Sequence, residues 1–321
     1  MRLGILGCSE IAFRRFMPAL QNVNGIEAVA VAEEYAPQKL TEFTESYPMD
    51  AETSFEKLIH RADIDAIYVP QPPALHHKYA KMALEAGKHV LIEKPSTTNY
   101  ADSKELVDIA REKGLALHEN YMFQYHSQIR EIQKLISDGV IGEVRLIRAN
   151  FGFPMRAQND FRYNASLGGG ALLDACGYPI KLATLLLGET TTVTTSAMQM
   201  MPGYEVDMFG SVSLTNADHV VCQIGYGMDC HYQCNLTVWG SKGQLYTNRI
   251  FTAPPNYEPI VVVETAEENK EIRLEADSHF EHSIEAFYHE VNDVDARVKM
   301  YDSILLQANL IEQVRTKNTA K

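Results

Sequence analysis

The chain has 321 residues, 45% of them hydrophobic and 22% charged, which is length enough for two domains or one large one with a real core. Its formal net charge of −13 repels nucleic acid and anionic membrane, so neither is an expected partner. No run of about 18 apolar residues suggests a membrane span. "MRLGILG" enters a strand at once, without a signal peptide, and the five sparse cysteines fit a reducing cytoplasm.

In chain order, short apolar runs first alternate with amphipathic segments. Strands are predicted at 2–7, 26–33, 64–70, 89–94 and 115–120, and helices at 10–23, 37–47, 54–60, 75–87 and 100–114. The strands are apolar on both sides, as a parallel sheet covered by helices requires. After residue 120 a helix (127–138) leads into an alternating strand (143–153), and a second apolar helix follows at 171–187. Strands are then predicted at 192–201, 208–215, 219–227, 231–240, 243–251, 259–265 and 270–276, and helices at 280–292 and 302–316. The pattern predicts an α/β chain: a doubly wound dinucleotide-binding domain over 1–120, and an α+β domain with a large, mostly antiparallel sheet over 121–321. Ligands are expected in a cleft at the join, and a homo-oligomer through the second sheet.

The first strand ends in "GCSEIA", a strand–turn–helix opening that aims backbone N–H groups at a phosphate. Gly7, Ser9, Glu10, Ile11 and Ala12 are the candidate cofactor residues. Ser9 stands where the dinucleotide fingerprint has glycine, and suits either a phosphate or a helix cap. Glu33 closes the second strand, where a carboxylate binds a ribose 2′-hydroxyl, so NAD is expected over NADP. Pro70, Gln71 and Pro72 end a later strand. His76 and His77 open the next helix, and His76 is a candidate cofactor contact. Cys222, Cys230, His231 and Cys234 lie in alternating strand sequence without a closely spaced cysteine pair, and read as core thiols, with no metal.

"HVLIEKPST" ends an apolar strand with Glu93, Lys94 and Pro95, at the carboxyl edge where open α/β sheets bind ligands. Glu119 and Asn120 end the neighbouring strand. In "GGGALLDACGYP", Asp174 and Tyr178 are four apart and share a helical face. Arg156 and Arg162 lie in one loop, and arginine suits a diphosphate. Tyr121, Met122 and Phe123 read chiefly as packing at the join, with Tyr121 also a candidate substrate contact.

These stretches, together with "DGVIGEVRLIRANF" and "VWGSKGQL", resemble the Gfo/Idh/MocA oxidoreductases over nearly the whole chain. The likeness is greatest to the branch holding NDP-sugar 3-ketoreductases, trans-dihydrodiol dehydrogenases and sugar dehydrogenases. It implies an NAD(P)-dependent oxidoreductase moving a hydride between nicotinamide and a secondary alcohol or ketone of a sugar, free or nucleotide-linked. A trans-diol dehydrogenase and a non-catalytic cofactor-binding regulator are the alternatives. The resemblance places Lys94 beside the nicotinamide on the reacting oxygen, ahead of a cis proline bond. It gives Tyr178 the position of a family histidine, Asp174 a supporting catalytic role, and Glu93 and Asn120 places near the cofactor. It also has Gly168, Gly169 and Gly170 approaching the cofactor closely.

Overall fold

The computed structural model describes residues 1–319. Each predicted element forms, most with boundaries shifted by a few residues; an edge strand is added at Asp50–Glu52, and the last helix, expected over 302–316, starts eight residues earlier, at Val294. The first unit comprises Met1–Tyr121 and Phe280–Ala308. Its strands are β1 (Arg2–Leu6), β2 (Glu27–Ala32), β3 (Asp50–Glu52), β4 (Ala66–Val69), β5 (His89–Glu93) and β6 (Leu117–Asn120). Between them run α1 (Met17–Leu20, preceded by a π-helical turn Ala12–Phe16), α2 (Gln38–Ser46), α3 (Phe55–Ile59), α4 (Pro73–Glu85) and α5 (Tyr100–Lys113).

The sheet is parallel throughout, in the order β3-β2-β1-β4-β5-β6. That is the doubly wound order of dinucleotide-binding folds, whose topological switch lies between β1 and β4. The central strands are buried on both faces: Ala66 to Val69 and Val90 to Ile92 all have 0% exposure. Caps fall where short polar side chains precede helices. Asn99 accepts the Asp102 N–H at 2.9 Å at the start of α5, and Gly114, at φ +66°, closes its end.

The second unit comprises Met122–His279 and the chain from Asn309 onward. It contains α6 (Ser127–Ser137), β7 (Val144–Gly152), a π-helical turn Leu172–Cys176 continuing as α7 (Gly177–Leu187), and β8 (Thr192–Met200). Six further strands follow: β9 (Asp207–Thr215), β10 (Val221–Gly227), β11 (Gln233–Gly240), β12 (Gly243–Asn248), β13 (Ile260–Thr265) and β14 (Asn269–Arg273). The eight strands order as β14-β13-β12-β11-β7-β10-β9-β8, antiparallel except for the β7–β10 pair. One face carries the core, including Ile147, Ala149, Cys222, Ile224, Leu236 and Val238, and the other carries Arg148, Val221, Gln223 and Trp239. The stretch Ala165–Leu187 contains an 18-residue window apolar enough to cross a membrane, and 78% of that window is buried inside the protein.

The expected division at residue 120 needs correction at the C-terminus. Residues 280–308, which hold most of helix α8 (His279–Asn292) and the first part of α9 (Val294–Thr316), belong to the first unit, with the parallel sheet. Within the first unit, Tyr301 donates its hydroxyl to the Leu115 carbonyl, and Arg297 donates to the Glu290 and Val291 carbonyls at 3.0 and 2.8 Å.

In the second unit a remote residue caps the helix that bears Tyr178. The Leu172 N–H donates to Asp207 Oδ2 at 2.7 Å, and a Cβ at Gly170 would collide with the other oxygen. Burial raises the Asp207 carboxyl to about 6, against the opposing effect of the Leu172 N–H. A raised carboxyl contributes stability that is fully present below its unfolded value and lost as pH rises through about 6. Between about pH 4 and pH 8 the native protein should therefore lose about 2 kcal/mol relative to Asp207→Asn. Urea denaturation of both proteins across that range checks this; parallel pH dependences would show an unperturbed carboxyl.

Candidate active site

The phosphate turn forms as its sequence predicts. Gly7 sits at φ +107°, where a side chain would be strained, and a Cβ there would collide with Gln71 Nε2. Ser9 takes the capping alternative: its Oγ accepts the Ala12 N–H at 3.2 Å. The backbone N–H groups of Ser9, Glu10 and Ile11 have no acceptor among the described residues, so a helix start with open donors follows β1. Glu10 is exposed and pairs with Arg14 at 2.6 Å. Ala12 is buried and Ile11 half-buried. These open donors fit a dinucleotide diphosphate.

Glu33 is 6% exposed and tied to the same turn. Its Oε2 accepts the Cys8 N–H at 2.8 Å, and its Oε1 accepts those of Tyr35 and Ala36 at 2.8 and 2.9 Å. One lone pair of Oε2 is left for a ribose hydroxyl. Glu34 turns elsewhere and accepts the Phe55 N–H at 2.6 Å. Across the switch point, Gln71 donates its amide to the Leu6 carbonyl and so joins the ends of β1 and β4. Pro70 is buried and Pro72 half-buried.

His76 does not stand where a cofactor contact was expected. It is fully buried, with Nδ1 2.7 Å from the Pro95 carbonyl and Nε2 2.6 Å from the Gln71 carbonyl. Burial pushes its pKa down to about 4, so the neutral ring donates to one of these carbonyls at a time. It pins the turn after Lys94 to the end of β4. His77 instead meets Glu105 at 2.6 Å, beside Lys81 at 2.6 Å.

The Lys94–Pro95 peptide is cis. Lys94 is half-buried, between two anchored neighbours. On one side Glu93 accepts the Tyr68 hydroxyl and the Asn120 amide, each at 2.7 Å. Burial raises the Glu93 pKa, while those two donors and the charge of Lys94 pull it down. On the other side the Ser96 N–H donates to Glu119 at 2.8 Å. Asn120 was expected at the nicotinamide. It is 1% exposed, and both ends of its amide are engaged inside the first unit, the oxygen accepting from Ser283 at 2.8 Å. Tyr121 has 0% exposure, a packing position and not a surface for substrate.

In the second unit, Tyr178 is 7% exposed, its ring 5.1 Å from Phe151 and 5.9 Å from Phe123 and Phe251. Asp174 Oδ2 accepts from Arg162 Nε at 2.7 Å, and Arg162 Nη1 donates to Asp160 at 3.1 Å. Arg162, expected on a substrate diphosphate, here braces two carboxylates, Asp174 and Asp160. Arg156 remains exposed, its guanidinium over the Phe153 ring. The glycines also serve the protein itself. A Cβ at Gly169 would strike the Arg162 carbonyl, and one at Gly170 the Asp207 carboxylate. Among the described residues no group of three or more His, Cys, Asp or Glu side chains is arranged to hold a metal.

Residues 1–121 match the model of an oxidoreductase family with an NAD-binding Rossmann fold, and residues 129–246 match the GFO/IDH/MocA C-terminal domain. The chain belongs to the GFO/IDH/MocA oxidoreductase family. It is an NAD(P)-dependent oxidoreductase. It is 38% identical to a dTDP-3,4-didehydro-2,6-dideoxy-alpha-D-glucose 3-reductase from Actinomadura kijaniata, over 98% of this chain and 95% of that one. A reductase of the same name from Saccharopolyspora spinosa is 37% identical over 98% of this chain and 96% of its own length. A solved structure of a 3-ketoreductase from Actinomadura kijaniata, with NADP and TDP-benzene, superposes with a TM-score of 0.95 at 38% identity, covering 100% of this chain and 98% of that chain. Solved variants of that ketoreductase replace one lysine and one tyrosine, which lie as far apart in its chain as Lys94 and Tyr178 do here.

The neighbourhood of Glu33 predicts the dinucleotide preferred. A buried carboxylate held at the end of β2 accepts from a 2′-hydroxyl and repels a 2′-phosphate. NADH should bind roughly ten- to hundredfold tighter than NADPH, corresponding to about 1–3 kcal/mol. Fluorescence titration with both reduced cofactors decides it; tighter NADPH binding would mean that another group, such as Lys39, takes the phosphate.

Proposed function

We propose that the protein reduces the C3 ketone of a dTDP-linked keto-deoxysugar. The observation that carries this reading is the match, across 98% of the chain, to reductases that share that one activity by name. The open donors of Ser9, Glu10 and Ile11 would hold the cofactor diphosphate, and Glu33 the adenosine ribose. When bound, the reduced nicotinamide supplies the hydride that the carbonyl carbon accepts.

The chain's own residues handle the oxygen. Lys94 donates a hydrogen bond from its ammonium to the carbonyl oxygen and stabilises the negative charge that grows there as the C=O π pair moves onto it. Tyr178 donates its phenolic proton to that oxygen, and the alcohol forms. Asp174, held by Arg162, keeps the start of the Tyr178 helix in place. Arg156, exposed over the Phe153 ring, is a guanidinium suited to the substrate diphosphate.

Changing Lys94→Ala should lower kcat by about a hundredfold or more while NAD(P)H still binds. Tyr178→Phe should cost roughly 10²-fold if the phenol delivers the proton. Steady-state rates with a dTDP-keto-sugar, and with the free sugar as control, measure both. A Tyr178→Phe enzyme with native rate would transfer the acid role to Lys94.

A second copy of the chain is the partner we infer for the outer face of the eight-stranded sheet. Trp239, Leu146 and Val221 lie abreast on β11, β7 and β10, with Trp239 54% and Val221 37% exposed. An apolar row on an exposed sheet face suits a self-complementary interface. Light scattering should report a dimer or larger, and Trp239→Arg with Val221→Lys should shift it toward monomer. A monomeric native protein at micromolar concentration would remove this reading. Five unpaired cysteines, four of them buried, support a reducing compartment such as the cytoplasm.

A further inference from the structure

Glu93 ends a line of buried side chains that runs away from Lys94 through the first unit. Its Oε1 accepts from Asn120 Nδ2 at 2.7 Å, and Asn120 Oδ1 accepts the Ser283 hydroxyl at 2.8 Å. Ser283 Oγ lies 3.0 Å from His118 Nε2, and His118 Nδ1 lies 3.0 Å from each carboxylate oxygen of Glu290. His118 and Ser283 have 0% exposure, Asn120 1% and Glu290 4%. Residues 118 and 120 point to the same face of β6, the face that α8 covers with Ser283 and Glu290.

Counting hydrogens gives the line a direction. A carboxylate at Glu93 only accepts, so Asn120 turns its NH2 toward it and its oxygen toward Ser283. The single hydroxyl hydrogen of Ser283 is spent on that oxygen. Ser283 Oγ can then only accept from His118, and Nε2 carries a hydrogen. Nδ1 faces two equidistant oxygens, the arrangement of a carboxylate around an N–H, not of an acid with one donating oxygen. A ring that donates from both nitrogens meets this pattern. The charged groups facing this line are Glu290 from α8 and Glu93 beyond Asn120. Arg297 of α9 sits on the Glu290 carbonyl.

We propose that His118 is held as an imidazolium by Glu290, and that through Ser283 and Asn120 this buried ion pair positions Glu93 and the adjoining Lys94. The proposal rests on reading Lys94 as the group that binds the reacting oxygen. Its physical content is polarity. A neutral His118 would present a lone pair at Nε2, Ser283 would turn its hydrogen to it, and Asn120 Oδ1 would lose its donor. The amide would then be free to flip and set an oxygen against the Glu93 carboxylate. His118, Ser283 and Glu290 are positioning residues, since the line reaches Lys94 through Asn120 and Glu93.

The test is imidazole 15N NMR on the full chain with labelled histidine, assigned through the backbone, at about pH 8, above the ordinary histidine value. The native protein should show both His118 nitrogens protonated, and Glu290→Gln should show a neutral ring. Ser283→Ala, which cuts the line but leaves the pair, should lower kcat roughly ten- to hundredfold with NAD(P)H affinity unchanged. A neutral His118 in the native protein at that pH, or a native kcat in Ser283→Ala, overturns the proposal. Failure of the underlying reading shows separately, as a native rate in Lys94→Ala with His118 still charged.

Discussion

A carboxylate buried at the carboxyl end of β5 sets the terms for everything around it. Glu93 is 9% exposed, and taking an unpaired carboxylate out of water costs several kcal/mol. Two neutral donors, the Tyr68 hydroxyl and the Asn120 amide, and the charge of the adjacent Lys94 offset that cost. The donors come from the strands on either side, β4 and β6. Their register is therefore a condition of burying Glu93, and Glu93↔Asn120 are partners in the β5–β6 ladder.

The same logic continues past Lys94. His76 holds the Pro95 carbonyl, and Glu119 holds the Ser96 N–H. Each residue beside the lysine is thus fixed by a side chain from another element, which is what a site needs if its geometry is to be kept before a substrate arrives. The second unit shows a parallel economy. Asp207 caps the helix carrying Tyr178, and Arg162 joins Asp160 to Asp174. Gly169 and Gly170 are small because a carbonyl and a carboxylate of the protein occupy the space a Cβ would need.

Much of the fold was legible because the two periodicities are clean. Apolar runs buried on both faces marked the parallel strands, and strict alternation marked the second sheet. The phosphate turn and the Glu-Lys-Pro strand end were legible as well, since both depend on local backbone chemistry. The partners were not. Tyr68 sits within "IDAIYVP" and His118 within "LALHEN", polar-tipped residues in fully buried strands, and that anomaly was the available signal. The helices at 280–308 gave none of their own; they read as the end of the second domain and belong to the first.

The sequence by itself determined which segments are helix or strand, where the dinucleotide turn lies, and which lysine ends a core strand, because these follow from spacing, turn chemistry and neighbours within a few residues. Only the tertiary structure decided what each polar group is for. Glu93, Asn120 and His76 looked like cofactor contacts when judged by their positions along the chain. Folding buries them, and a buried polar atom must find a partner wherever the topology brings one, here from β4, β6 and a helix some 160 residues away. That choice depends on which elements become neighbours, and hydrophobic patterning along the chain carries no record of it.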